Sequence, residues 1–323
     1  VLLTVQGLTT YFSLDEGILR AVDDMSFSID ERETVALVGE SGCGKTIVAL
    51  SIIGLVPQPG RVVGGHILFE GQDLLTLTPD QLRRVRGGQI GMIFQEPGAA
   101  LNPVLTIGSQ IAEVLQEHRG MNRHEAAAES VRLLGDVGIP DPEKRSRSYP
   151  FQLSGGMRQR ALIAIATCTR PKLLIADEPT TALDVTVQAE ILDLLRHLQD
   201  QFHMATLLIT HDLGVVAEMA QRVLVMYTGK LFETATTVDL FRHPQHPYTQ
   251  GLLHSVPRLG AGRDQPLEGI PGSVPDLMQL PTGCTFHPRC ALADEECGTD
   301  FPPFRKAATD DNRGWACYKA PPP

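Results

Sequence analysis

Long apolar runs are missing from this chain. None approaches the ~18 residues that cross a bilayer as a helix, so any membrane role has to come through protein partners. Cations are also in deficit, with 28 Lys and Arg against 38 Asp and Glu and a formal net charge of -10. A nucleic-acid track needs clustered Lys and Arg to neutralise phosphates, and that class is set aside. Aromatics make up only 5% of the residues, while Ala, Leu, Val and Ile are plentiful, which suits an α/β protein whose sheet is buried on both faces. Val1 to Leu8 reads as a strand, with neither a basic leader nor a small-residue cleavage site, and the expectation is a soluble chain that stays in the cytoplasm.

A length of 323 residues allows one large domain and a smaller appendage. Strand-like and helix-like stretches alternate through about residue 255, the pattern of a mostly parallel sheet covered by helices. Thr34 to Val38 reads as a strand running through a glycine-rich turn into a helix over Thr46 to Ile53. Further strands are expected at His66 to Phe69, Gln89 to Phe94, Lys172 to Ala176, Thr206 to Ile209 and Arg222 to Tyr227. Between about 101 and 168 the pattern turns helical, with helices expected over Thr106 to His118, Arg123 to Val137 and from Ser154 onward. The remainder, 256–323, is rich in Gly, Pro and loop residues and cannot hold itself together by apolar burial; it lies on the main domain or is cross-linked.

Gly39-Glu-Ser-Gly-Cys-Gly-Lys45-Thr46 fits GxxxxGK[ST] in the strand-turn-helix context such a loop requires. Its glycines let successive amides face phosphates, and Ser41, Gly42, Cys43, Gly44 and Ile47 complete the cradle. Lys45 would reach the β and γ phosphates and Thr46 would ligate Mg²⁺. Cys43 reads as a small filler. An apolar strand ending in Asp177-Glu178 places two carboxylates beside such a loop: Asp177 to hold Mg²⁺ through its water shell, Glu178 to orient or deprotonate the attacking water. These two features mean only a P-loop ATPase.

Leu153-Ser154-Gly155-Gly156-Met157-Arg158-Gln159-Arg160 opens a helix with an N-cap serine and two glycines, a second anion cradle. It resembles the LSGGQ signature of ATP-binding-cassette (ABC) ATPases, with Met157 at the fifth position and Gln159 available to supply the missing amide. The resemblance implies a head-to-tail dimer in which this cradle faces the nucleotide held by the opposite subunit. It further implies that Gln95 senses Mg²⁺ and water, that Asp184 crosses the dimer interface, that His211 contacts the γ-phosphate, and that an aromatic after the first strand, Phe12 or else Tyr11, stacks on adenine. Packing of both rings in the core is the alternative for these last two.

Phe94-Gln-Glu-Pro-Gly-Ala-Ala-Leu-Asn-Pro103, Asp177-Glu-Pro-Thr-Thr-Ala-Leu-Asp-Val185 and His246-Pro-Tyr-Thr-Gln250 narrow the resemblance to the oligopeptide/dipeptide (peptide/nickel) uptake ATPases, nearest the dipeptide type. His246-Pro247 itself reads only as a helix start. Cys284, Cys290, Cys297 and Cys317 crowd the tail, where a reducing compartment points to metal before disulfide. Their spacing matches no common zinc or ferredoxin run, and His287 is a stray candidate beside them. Iron-sulfur, zinc and free thiols therefore stand open on the residues alone; the family resemblance implies a [4Fe-4S] cluster of structural role.

The resemblance thus implies an α/β P-loop ABC domain over 1–255 with an antiparallel β portion, a helical insertion at about 101–168 and a metal-binding appendage over 256–323. It implies ATP hydrolysis driving peptide uptake from the cytoplasmic face of the cell membrane. The implied partners are a second ATPase subunit, two transmembrane permease subunits and, indirectly, an extracytoplasmic binding protein. Nickel or glutathione cargo and a soluble non-transport ABC ATPase remain the alternatives. A P-loop kinase or GTPase would have no use for Ser154-Gly155-Gly156.

Overall fold

The computed structural model describes residues 1–255, 269–307 and 310–320. Its elements run β1 (Leu3–Leu14), β2 (Gly17–Ile29), β3 (Thr34–Val38), α1 (Lys45–Ile52), β4 (Gly60–Phe69), β5 (Gln72–Asp73), α2 (Pro79–Val85), β6 (Ile90–Ile93) and α3 (Pro97–Ala100). They continue with α4 (Ile107–Arg119), α5 (Arg123–Asp136), α6 (Pro142–Arg145), α7 (Gly155–Thr167), β7 (Leu173–Asp177), α8 (Val185–Phe202), β8 (Ala205–Ile209) and α9 (Leu213–Met219). The last are β9 (Arg222–Tyr227), β10 (Lys230–Thr236), α10 (Thr237–Arg242), α11 (Pro247–His254), β11 (Arg305–Ala307) and β12 (Asp310–Trp315). Contacts divide the chain into two compact units, one of residues 3–28, 34–75 and 209 onward, the other of 1–2, 29–33 and 76–208. The boundary expected at 255/256 abuts residues 256–268, which lie outside the described residues.

In the first unit, every residue of β3 and β9 is buried, as the unbroken apolar runs require of parallel strands covered on both faces. Val35 pairs with Arg222 and Val38 with Val225 in that parallel ladder. β10 turns back on β9 through Thr228 and Gly229, both at positive φ. A second sheet, in the order β2-β1-β4-β5, has β4 antiparallel to both β1 and β5.

The tail does more than lie on a surface. β12 pairs antiparallel with β10, Glu233 opposite Trp315, and β11 adds to β12 beyond it. Phe286 and Cys284 join the core cluster around Val225, Phe232, Leu240 and Tyr248. The scarce aromatics concentrate there: Tyr227 sits 4.6 Å from Tyr248 and 5.5 Å edge-on to Phe286, centroid to centroid. Edge-to-face pairs of this kind contribute about 0.5–1.5 kcal/mol beyond their buried area, so a loop-rich segment is held by a few large rings.

The second unit carries a parallel β6–β7 ladder and the helical insertion. Three insertion helices have the start their sequence supplies. Thr106 caps α4, Asn122 and Glu125 form a capping box on α5, and Ser154 caps α7. Such caps contribute ~1 kcal/mol each by satisfying amides that the helix cannot.

Candidate functional site

The turn after β3 closes only because its glycines have no side chain. A Cβ on Gly39 would sit 2.1 Å from the Met226 carbonyl oxygen, and one on Gly44, at φ 106°, would sit 2.0 Å from the Ala21 carbonyl oxygen. The first intrahelical bond of α1 runs from the Val48 N–H to the Gly44 carbonyl at 3.1 Å, so the amides of Lys45, Thr46 and Ile47 precede it and face the loop. Lys45 Nζ donates to the carbonyls of Gly39 (2.8 Å) and Glu40 (3.0 Å), which bends the side chain back over the loop. Cys43 is fully buried, and burial pushes its thiol up, which makes it the filler the sequence suggests. Ser41 and Gly42 are exposed. His211, also exposed, lines a cavity of about 340 Å³ with Val38, Gly39, Glu40 and Leu252.

Tyr11 and Phe12 lie inside β1, opposite Arg61 and Gly60 of β4, and not in a loop after it. The correction follows from strand length, since β1 runs six residues past Leu8. The Tyr11 hydroxyl donates to Asp23 Oδ1 at 2.7 Å, and burial together with that carboxylate raises the phenol to about 12. The Phe12 ring covers Gly60 so closely that a Cβ there would lie 2.5 Å from it.

In the second unit, Asp177 ends the fully buried β7 and is 1% exposed. Glu178 follows at φ 47°, a left-handed conformation that costs a non-glycine residue roughly 1–2 kcal/mol. Gln95 Nε2 donates to Glu178 Oε2 at 3.0 Å, and Thr181 Oγ1 donates to the same oxygen at 2.7 Å. Asp184 is the N-cap of α8, accepting from the amides of Thr186 (3.1 Å) and Val187 (3.0 Å).

At the start of α7, Ser154 Oγ accepts from the Met157 amide at 3.3 Å. Ser154 and Gly155 are exposed, and Gly156 is obliged to be small because a Cβ would meet Val187 Cγ1 at 2.9 Å. Gln159 departs from the expectation. It is 2% exposed, on the buried side of α7, and its Nε2 has no hydrogen-bond partner among the described residues.

Cys284, Cys290, Cys297 and Cys317 are all free thiols and line one apolar pocket with His246, Phe286 and His287. Burial raises the Cys284 thiol to about 12, with the three neighbouring sulfurs adding to it. The pocket encloses only about 10 Å³, and among the described residues no group of three or more His, Cys, Asp or Glu side chains is arranged to hold a metal ion. The geometry therefore brings the four cysteines together without forming the ligand set that the [4Fe-4S] expectation requires.

Sequence reasoning missed Thr181, although Thr180-Thr181 stands within a run that marks the family. It also missed Glu40, whose amide meets the Tyr248 hydroxyl and whose carboxylate meets Arg289, 208 and 249 positions away in sequence. No local pattern reports such a contact.

Residues 22–181 match the family described as ABC transporter, and residues 232–297 match the family described as oligopeptide/dipeptide transporter, C-terminal region. A putative peptide import ATP-binding protein of Brucella ovis is 49% identical over 98% of this chain and 97% of its own length. The oligopeptide transport ATP-binding protein AppD of Bacillus subtilis is 52% identical over 93% of this chain and 92% of its own. Among solved structures, the ATP-binding cassette MJ0796, a dimer in a post-hydrolysis state bound to ADP and Pi, superposes with a TM-score of 0.66 at 26% identity. That match spans 73% of this chain and 98% of the other.

Proposed function

The chain belongs to the ABC transporter family of ATP-binding proteins, in its oligopeptide/dipeptide branch, and from that premise we propose that it hydrolyses ATP to drive peptide uptake through membrane subunits. The observation that carries the reading is that one chain holds both a phosphate loop closed to any side chain at Gly39 and Gly44 and a Glu178 carboxylate fixed by Gln95 and Thr181.

Lys45 and the α1 amides bind the β and γ phosphates, and the Gly39 and Glu40 carbonyls hold the ammonium in reach of them. Glu178 takes the proton of the attacking water or orients it, with Gln95 and Thr181 fixing which oxygen is presented. His211 donates to the γ-phosphate. The Thr46 hydroxyl and the Asp177 carboxylate are hard oxygen donors that fit Mg²⁺, with Gln95 the third candidate. When bound, Mg²⁺ supplies charge neutralisation of the phosphates.

Ser154, Gly155 and Gly156 form the second cradle, supported by the exposure of Ser154 and Gly155 and by the cap at the helix start. In this reading it faces the nucleotide of a second ATPase subunit, and exposed Asp184 and Val185 lie at that interface. Transmembrane subunits dock on the helical insertion, where Val104 is 75% and Phe151 66% exposed. No helix among the described residues is long and apolar enough to cross a membrane. In this reading the chain sits peripherally on the cytoplasmic face, held there by the membrane subunits. A binding protein outside the cell delivers the peptide.

The test is the complete importer in vesicles, with ATP hydrolysis and uptake of a labelled dipeptide followed together. Peptide-stimulated hydrolysis that vanishes in Lys45→Ala supports the reading. Hydrolysis stimulated by nickel or glutathione and indifferent to peptide would replace the cargo.

For the tail we propose a [4Fe-4S] cluster on Cys284, Cys290, Cys297 and Cys317. What supports it is the donor chemistry, four thiols around one apolar pocket without a disulfide. The pocket as it stands has room for about one water-sized sphere, so a cluster would require a wider site than the one described. Iron and acid-labile sulfide on anaerobically purified protein decide it: about four irons per chain support the cluster, whereas zinc or no metal removes it.

A further inference from the structure

Glu40, the second residue of the phosphate loop, is held at every polar group by something distant or catalytic. Its amide donates to the Tyr248 hydroxyl at 2.9 Å. Its carboxylate accepts two bonds from Arg289, Nη1 to Oε2 at 2.7 Å and Nη2 to Oε1 at 2.9 Å. Its carbonyl accepts from Lys45 Nζ at 3.0 Å.

Arg289 itself is over-determined. Its side chain is 5% exposed, Nε donates to the Pro271 carbonyl at 2.8 Å, and Nη1 also donates to the Tyr227 hydroxyl at 3.1 Å. The guanidinium lies over the rings of Tyr227 (5.8 Å) and Phe286 (5.9 Å). The planar fork fixes a carboxylate in two directions at once, which a lysine cannot do. The guanidinium is buried while the Glu40 carboxylate is about a quarter exposed, so loss of Glu40 strands the buried charge of Arg289. Tyr248 is fully buried at the start of α11, and the Glu40 amide is the group its hydroxyl meets. The His246-Pro247-Tyr248 run thus has a physical use that its sequence does not announce.

We infer that Arg289 and Tyr248 are positioning residues for nucleotide binding. Through Glu40 they hold the phosphate loop in its binding shape, so nucleotide affinity depends on the C-terminal segment being docked. The loop's Lys45 is bent back by the same residue whose carboxylate and amide the C-terminal elements grip, so a shift of Glu40 moves the ammonium and the amides that face the phosphates. Neither Arg289 nor Tyr248 needs to touch the nucleotide. The inference rests on the ATP-binding reading above.

The experiment measures ADP affinity of the full chain, by displacement of a fluorescent ADP analogue, for wild type, Arg289→Ala, Glu40→Ala, the double variant, Arg289→Lys and Tyr248→Phe. Each alanine variant is expected to bind about tenfold more weakly, less than truncating a charge partner at a direct interface costs, because neither side chain touches the nucleotide. The double variant is expected to be no weaker than either single, and Arg289→Lys to recover part of the loss. In the assembled importer the KM for ATP rises in Arg289→Ala and Tyr248→Phe while kcat at saturating ATP changes less than about twofold. Additive losses, or affinities within twofold of wild type, overturn the inference. Tyr248→Phe keeps the packed ring and removes only the hydroxyl, so it decides the matter if an alanine variant fails to fold. Failure of the wild-type chain to bind ADP would instead overturn the nucleotide reading itself.

Discussion

Gln95 and Glu178, 83 residues apart, share a hydrogen bond of 3.0 Å in which the amide nitrogen donates to Oε2 of the carboxylate. A donor on that oxygen fixes the carboxylate's orientation. Glu178→Gln is expected to lower hydrolysis about 100-fold or more while leaving ATP bound in a closed dimer. Gln95→Ala, which removes the orienting donor but leaves Thr181, is expected to lose less. Single-turnover hydrolysis with the importer distinguishes them, and undiminished turnover in Glu178→Gln would take the carboxylate out of the reaction.

Gly44→Ala is a test of the loop's geometry. The added methyl meets the Ala21 carbonyl at 2.0 Å, and the φ of 106° is one that L side chains rarely adopt. The strain alone is about 1–3 kcal/mol, and the overlap adds to it. Expected are a lowered melting temperature and loss of ADP binding; retention of both would mean that the loop can close in another way.

Gln159 separates an internal role from a nucleotide contact. Its buried Nε2 has no hydrogen-bond partner among the described residues, and an unsatisfied buried polar group costs about 1–3 kcal/mol. Gln159→Met, close in shape and without the amide, is expected to be neutral or more stable in denaturant titration with unchanged ATPase activity. A large drop in activity at unchanged stability would place the amide in the reaction after all.

Tyr11 and Asp23 bear on both stability and pH. Asp23 accepts from Tyr11 Oη at 2.7 Å and pairs with Lys230 Nζ at 2.8 Å. Burial pushes the Asp23 carboxyl up, but the Lys230 and Tyr11 hydrogen bonds outweigh it and leave the group below its ordinary value. A depressed carboxyl stabilises the fold above its unfolded value of 3.8, and that contribution is lost as pH falls through the lower folded value. Asp23→Asn is expected to flatten the acid limb of a stability-against-pH curve. Tyr11→Phe is expected to cost about 1 kcal/mol with ADP affinity unchanged, and a weakened affinity would return Tyr11 to the adenine.

Much of this was legible because the signals are local. A buried five-residue strand, glycines at fixed offsets and a lysine-threonine pair specify a phosphate loop within the single run Thr34 to Thr46, and β3 and α1 fall within a residue of expectation. Helix starts at Ser154, Thr106 and Pro247 were legible for the same reason: a cap is chemistry between residues two or three apart. The loop placement of the aromatics was misread because strand β1 continues through Tyr11 and Phe12, and what extends a strand is its partner, here Gly60 and Arg61 of β4.

Sequence alone settled the reaction class and the order of its parts, since phosphate cradles and carboxylates at strand ends are written in short runs. Tertiary structure decided which of those residues are available. It buried Gln159, engaged the Tyr11 hydroxyl, placed Thr181 on Glu178, and brought Arg289 to Glu40 across 249 positions. The reason is physical: propensity and capping act over a turn or two, whereas burial and charge pairing depend on which distant segment arrives against a side chain.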